Sequence, residues 1–126
     1  MYLDSAISIF KSNKNACQLS HAYSVKARLY YNSSRSDSAT KNFITASKIL
    51  QPGCPQINKY YLYNSWSLLA KQIKDYKNSD SLNGLAYKAA LKLDDKSYLL
   101  NVLINKSILY SAQGNYKEAV RIIKEV

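Results

Sequence analysis

The sequence predicts an all-α protein of about seven helices, packed as successive antiparallel hairpins. Only 3 Gly and 2 Pro occur in 126 residues, too few turn residues for a β-sandwich or a barrel. Apolar residues recur at helical spacing along almost the whole chain, as they do on amphipathic helices. We therefore expect no strand and mostly short connections between helices.

The chain opens with a predicted helix within residues 1–12, and a first hairpin follows within residues 16–50. One face of the leading helix carries its apolar side chains, namely Leu3, Ala6, Ile7 and Phe10. The helices of the first hairpin are expected over about 16–31 and 36–50, because Ser36 has a side-chain oxygen that suits a helix start.

The breaker segment 51–56 holds both prolines and separates the first hairpin from the second, expected within residues 58–93. Its helices are predicted over about 58–77 and 81–93, with a polar turn at 78–80. The third hairpin is expected within residues 95–126, with Gly114 in its turn because glycine readily adopts a left-handed conformation.

A pattern of small and apolar residues occurs three times and indicates an internal repeat. A small residue lets two helices approach, and the residues 12, 16 and 19 positions later form one stripe of the second helix. An aromatic or aliphatic residue also lies four positions before each small one: Tyr23, Trp66 and Leu103. The three copies are Ala27, Tyr30, Ala39, Phe43 and Ala46; Ala70, Ile73, Leu82, Ala86 and Ala89; and Ser107, Tyr110, Ala119, Ile123 and Val126.

This pattern resembles the tetratricopeptide repeat (TPR) family, most clearly over 110–119, which is close to that family's Y-x-x-x-G-D-Y-x-x-A core. The resemblance implies a right-handed superhelical stack of hairpins, an α-solenoid, whose first helices line a concave groove. It also implies a non-enzymatic module that binds a protein or peptide. Lys26 and Lys106 depart from the family, which usually has Leu there, and the small residues are 43 and 37 apart rather than about 34.

The resemblance places a set of polar and cationic side chains in the groove. Asparagine can both donate to and accept from a peptide backbone, and cations can meet acidic groups of the partner. The groove candidates are His21, Arg28, Tyr31, Asn32, Asn64, Lys71, Lys74, Asn101, Asn105 and Ser111.

Other interpretations of the chain give different partners. The residues 1–74 carry +8 of the net charge of +10, which could attract nucleic acid, but the basic residues are spread over several helices rather than clustered. The array also resembles the sensory or regulatory TPR region of a bacterial transcription regulator or sensor kinase. We expect a fragment of a longer chain, in which exposed array ends could self-associate.

The sequence offers little for catalysis, a metal or a cofactor. It has one histidine, no phosphate-binding glycine loop and no stretch that could span a membrane. Cys17 and Cys54 are too few for a zinc site with four ligands. They are compatible with a disulfide in an exported, periplasmic domain and with free thiols in the cytoplasm, so they leave the compartment open.

Overall fold

The computed structural model describes residues 2–12 and 14–125, which form seven α-helices and no strand. The all-α prediction is therefore confirmed for this part of the chain. None of the helices described is both long and apolar enough to cross a membrane. The helices are α1 (Tyr2–Ser12), α2 (Ala16–Asn32), α3 (Ser36–Ile49), α4 (Gln56–Gln72), α5 (Tyr76–Leu91), α6 (Ser97–Ala112) and α7 (Tyr116–Lys124).

Three-residue turns join α2 to α3, α4 to α5 and α6 to α7, and the helices of each pair pack against one another. The middle residue of each turn has a positive φ: 61° at Ser34, 65° at Lys74 and 79° at Gly114. These three residues follow one another at intervals of 40 residues. The three hairpins therefore repeat with one constant period.

Side-chain caps fix where several helices begin. Asn15, Asp75 and Asn115 immediately precede α2, α5 and α7, and each side-chain oxygen accepts a hydrogen bond from the backbone N–H three residues later. Asp95 acts similarly before α6, since its Oδ1 accepts from the Ser97 N–H at 2.9 Å. That contact holds the pKa of the Asp95 carboxyl below its ordinary value.

The prediction of a turn at 78–80, with a helix running up to residue 77, is wrong. The helix α4 ends at Gln72 and α5 begins at Tyr76, so residues 78–80 lie inside α5. The polar Ser79 is buried in the hairpin interface, where its hydroxyl donates to the Ser67 carbonyl at 2.8 Å. In the sequence Ser79 indicates a turn, but in the structure its hydroxyl makes a hydrogen bond between two packed helices.

Two buried clusters form the core. The first lies between α2, α3 and α4 and includes Ala27, Phe43 and Leu62. The second lies between α4, α5 and α6 and includes Ala86 and Val102. Because α4 contributes to both clusters, and because α2 and α6 each contact α4, the middle hairpin connects the two outer ones.

A disulfide joins Cys17, in the first turn of α2, to the buried Cys54 of the loop between α3 and α4, with their Cα atoms 5.4 Å apart. This settles the pairing that the sequence left open. The same loop is held at its other end by Lys59, whose Nζ donates to the Pro52 carbonyl at 2.6 Å.

Candidate functional site

The first helices of the three hairpins share one face, which we call the α2–α4–α6 face. The helix α4 lies between α2 and α6 and contacts both. Because the repeat period is 40 residues, His21, Tyr61 and Asn101 occupy equivalent positions on the three helices. Side-chain contacts near these positions bridge neighbouring helices.

His21 and Arg28 each contact α4 from α2 on this face. The His21 and Tyr61 rings meet edge to face, with centroids 5.1 Å apart. Further along α2, the Arg28 guanidinium donates to the Ser65 hydroxyl at 3.2 Å. The same guanidinium lies 5.4 Å from the ring centroid of Tyr31, within the range of a cation–π contact.

Two further contacts join α4 to α6. The Asn105 amide donates to Asn64 Oδ1 at 2.9 Å. The buried Tyr60 ring packs edge to face on Tyr98, with centroids 4.9 Å apart. Burial raises the pKa of Tyr60, and the neighbouring side chain of Asn101 opposes that shift. Polar and aromatic contacts thus run continuously from α2 across α4 to α6.

The electrostatics of the face are cationic. Arg28 and Lys71 are partly exposed on it, and no Asp or Glu occupies an equivalent position on the three helices. Burial raises the pKa of the Tyr61 phenol and lowers the pKa of His21, so both rings favour their neutral forms. The face can therefore donate to carboxylates through its two cations and hydrogen-bond a peptide backbone through its amides.

Apolar surface accompanies these polar groups. Ile104 and Ile108 of α6 are exposed to 36% and 45%, and Leu68 of α4 is partly exposed at the position equivalent to Ile108. At the other end of the face, an apolar cleft of about 490 Å³ opens between α1, α2 and the start of α4. His21 lines this cleft as well as contacting Tyr61.

The structure brings most of the predicted groove residues onto this face. Asn32 lies at the exposed end of α2, and Ser111 lies in the last turn of α6. The residues that the structure places on the face or at its edge are His21, Arg28, Tyr31, Asn32, Asn64, Lys71, Asn101, Asn105 and Ser111. Lys74 is not on it, because α4 ends two residues earlier and Lys74 is the left-handed residue of the turn.

The predicted packing residues divide in the same way. Ile73 directly follows α4 and is 49% exposed, so its assignment to the hairpin core is wrong. Trp66 does pack, since its ring stacks on Phe43 with centroids 5.9 Å apart. Val126 lies outside the described residues. The predicted packing residues that are buried are Ala27, Ala39, Phe43, Ala46, Ala70, Ser107 and Ala119, while Tyr30, Trp66 and Tyr110 are partly buried.

The repeat pattern of the second hairpin is three residues away from its predicted position. Ser67, rather than Ala70, is equivalent to Ala27 and Ser107, because the hydroxyls of Ser67 and Ser107 each donate to the carbonyl twelve residues later. The sequence pattern misses Tyr61 and Ser65 as site residues for the same reason. The 40-residue step from His21 to Tyr61 is the signal that would have found them.

Groups for metal or thiol chemistry do not assemble in the described residues. No three His, Cys, Asp or Glu side chains there lie close enough to hold a metal ion, and both cysteines are in the disulfide.

The chain was also compared with known proteins, and no family model, curated protein or solved structure matches it.

Proposed function

We propose that this chain is a non-enzymatic interaction module that binds a segment of a partner protein along the α2–α4–α6 face. The observation that carries the proposal is the continuous line of side-chain contacts across three successive helices. His21 meets Tyr61 and Asn64 meets Asn105, so residues from all three hairpins form one surface. Such a surface can contact a segment that crosses all three helices.

A TPR-like stack is the architecture that we propose for this surface. Three features support it: the constant 40-residue period, the contacts of α4 with both α2 and α6, and the contacts of α3 with α4 and of α5 with α6. In a right-handed superhelical stack with these contacts, the α2–α4–α6 face would be the concave one.

The chemistry of the face favours a segment that carries carboxylates next to aliphatic side chains. Arg28 and Lys71 would pair with the carboxylates, and Asn64 and Asn105 would bond the peptide backbone. Ile108 and the apolar cleft between α1 and α2 would take the aliphatic side chains. The +10 net charge of the chain adds long-range attraction for such a segment.

Selection from a random peptide library displayed on phage tests the proposal. Selected peptides should be enriched in Asp and Glu beside aliphatic residues. The double variant Arg28→Ala/Lys71→Ala should weaken their binding by about tenfold or more, which is about 1.4 kcal/mol. Isothermal titration calorimetry with a selected synthetic peptide measures the change.

The double variant Lys41→Ala/Lys74→Ala is the matched control, because it removes the same charge from exposed sites outside the face. Equal losses of peptide affinity in the two double variants would mean that only the net charge of the protein matters for binding. Full affinity in Arg28→Ala/Lys71→Ala, with the helical circular dichroism of the wild type, would exclude this face as the binding surface.

Nucleic-acid binding is the second candidate, and the +10 net charge favours it. It predicts that binding of a DNA or RNA oligonucleotide falls steeply with salt, because a phosphate-binding protein releases counterions. The amide and apolar contacts proposed for the face would lose much less affinity over the same salt range. A steep salt dependence that persists in Arg28→Ala/Lys71→Ala would favour nucleic acid.

A further inference from the structure

Three lysines surround a second cleft, which lies outside the α2–α4–α6 face. This lysine cleft has a volume of about 330 Å³ and lies between the loop that joins α3 to α4, the first turns of α4, and α5. Lys59 of α4 lines one side, and Lys88 of α5 and its C-cap residue Lys92 line the other. None of its lining residues belongs to the α2–α4–α6 face.

The positive charge of this cleft is not neutralised within the described residues. No Asp or Glu lines it. The ion pairs of the described residues involve Lys26 and Arg121, which lie elsewhere, and none of the three cleft lysines. Lys88 lies in the last turn of α5 and Lys92 is the C-cap residue, so their two like charges lie about one turn apart and repel. An anionic ligand would remove that repulsion and gain three charged partners.

The cleft has an apolar part beside its polar groups, which include Gln51 and Gln56. Leu50 and Leu85 line it, and Leu85 is 41% exposed although it lies between two buried helix neighbours, Leu82 and Ala86. The ring of Tyr63 also lines the cleft, but it packs against both core clusters. It is therefore held in place by the core.

We propose that the lysine cleft binds an acidic segment of a partner protein, with an aliphatic side chain on Leu50 and Leu85 and carboxylates at Lys59, Lys88 and Lys92. Contact with Leu50 and Leu85 distinguishes this ligand from a phosphate group, which gains nothing from leucine contacts. This inference does not depend on the proposed function of the α2–α4–α6 face.

Lys59 is held in a fixed position in addition to supplying a positive charge. Its Nζ donates to the Pro52 carbonyl, which fixes the ammonium at the edge of the cleft and leaves donors free for a ligand. Lys88 and Lys92 are exposed and make no side-chain hydrogen bond among the described residues. They can therefore be replaced with little effect on the fold, since alanine is a good helix former.

Fluorescence anisotropy with a synthetic peptide tests the proposal. The probe is a fluorescein-labelled peptide, Asp-Glu-Leu-Glu-Asp, compared with its amide analogue Asn-Gln-Leu-Gln-Asn and with Asp-Glu-Ser-Glu-Asp. We expect the acidic leucine peptide to bind best. The double variant Lys88→Ala/Lys92→Ala should weaken its binding by about tenfold or more. The double variant Lys41→Ala/Lys77→Ala, which removes the same charge elsewhere, should bind as the wild type does.

Other results would overturn the proposal. These are no measurable binding of the leucine peptide, equal weakening by both lysine double variants, or equal affinity for the leucine and serine peptides. Competition by inorganic phosphate or by an oligonucleotide as effective as the unlabelled peptide would make the cleft a phosphate site instead. The weakening caused by Lys88→Ala/Lys92→Ala should be the same in the wild type and in Arg28→Ala/Lys71→Ala, so failure here and failure of the proposed function are separate results.

Discussion

Ser67 and Ser79 exchange hydrogen bonds across the second hairpin: each hydroxyl donates to the carbonyl oxygen of the other residue, at 2.8 Å in both directions. Both residues are almost fully buried, at 4% and 1% exposure. The equivalent pair in the first hairpin is Ala27 and Ala39, which are fully buried. The closest helix approach in each hairpin therefore needs small residues, and serine is accepted there only because the partner helix satisfies its hydroxyl.

Substitutions at Ser67 should separate size from hydrogen bonding. Ser67→Ala keeps the close approach and removes one hydroxyl, so it should lower the free energy of unfolding by about 0.5–1.5 kcal/mol. Ser67→Leu also forces the helices apart and should lower it further, by about 1–3 kcal/mol. Urea unfolding followed by circular dichroism measures both. Similar values for the two variants would mean that the helices do not meet at Ser67.

The same glycine substitution should have opposite effects at two sites. Gly114 has a φ of 79°, so Gly114→Ala places a side chain in a strained left-handed conformation and should destabilise the protein by about 1 kcal/mol. Gly84 lies inside α5, where an added methyl group would meet no atom within 4 Å, so Gly84→Ala should stabilise by about 0.5–1 kcal/mol. Thermal unfolding checks the signs, and a loss of stability in both variants would contradict this account.

Much of the fold follows from residue pattern alone, because helical periodicity and short polar turns are local signals. The turn at 113–115 has its glycine, and the turn after α2 has consecutive serines. The second turn is harder to find in this way, because its left-handed residue is Lys74, which carries no turn signal, and only the N-cap residue Asp75 marks it. The buried Ser79, which lies inside α5, resembles a turn residue in the sequence and so gives a false turn signal.

The candidate site was predictable to the extent that the helix register was right. His21 and Arg28 are on the α2–α4–α6 face, and Lys74 is not, because it belongs to the misplaced turn. The 40-residue step points to Tyr61 and Ser65, but their contacts with His21 and Arg28 depend on how α4 packs against α2, which the sequence does not fix. The same holds for the disulfide, since only the folded loop brings Cys54 to α2.

Reduction of the disulfide should destabilise the protein substantially. The bridge joins residues 37 apart, and closing a loop of this length stabilises a fold by about 2–4 kcal/mol through the unfolded state. Urea unfolding with and without dithiothreitol measures the loss. The variant Cys17→Ser/Cys54→Ser is the control, because it should match the reduced wild type and be insensitive to the reductant. An unchanged unfolding midpoint on reduction would show that the two cysteines are not joined.

Stability should fall on acidification through His21, the one histidine of the chain. Burial lowers its pKa below the ordinary value of 6.5, so the unfolded chain binds a proton more readily than the folded one. The histidine contributes no penalty well above pH 6.5, and its penalty grows as the pH falls below that value. An NMR titration of the imidazole should give a midpoint below 6.5, and the unfolding temperature of His21→Leu should depend less on pH over that range than that of the wild type. A midpoint at or above 6.5 would contradict the burial of this ring against Tyr61.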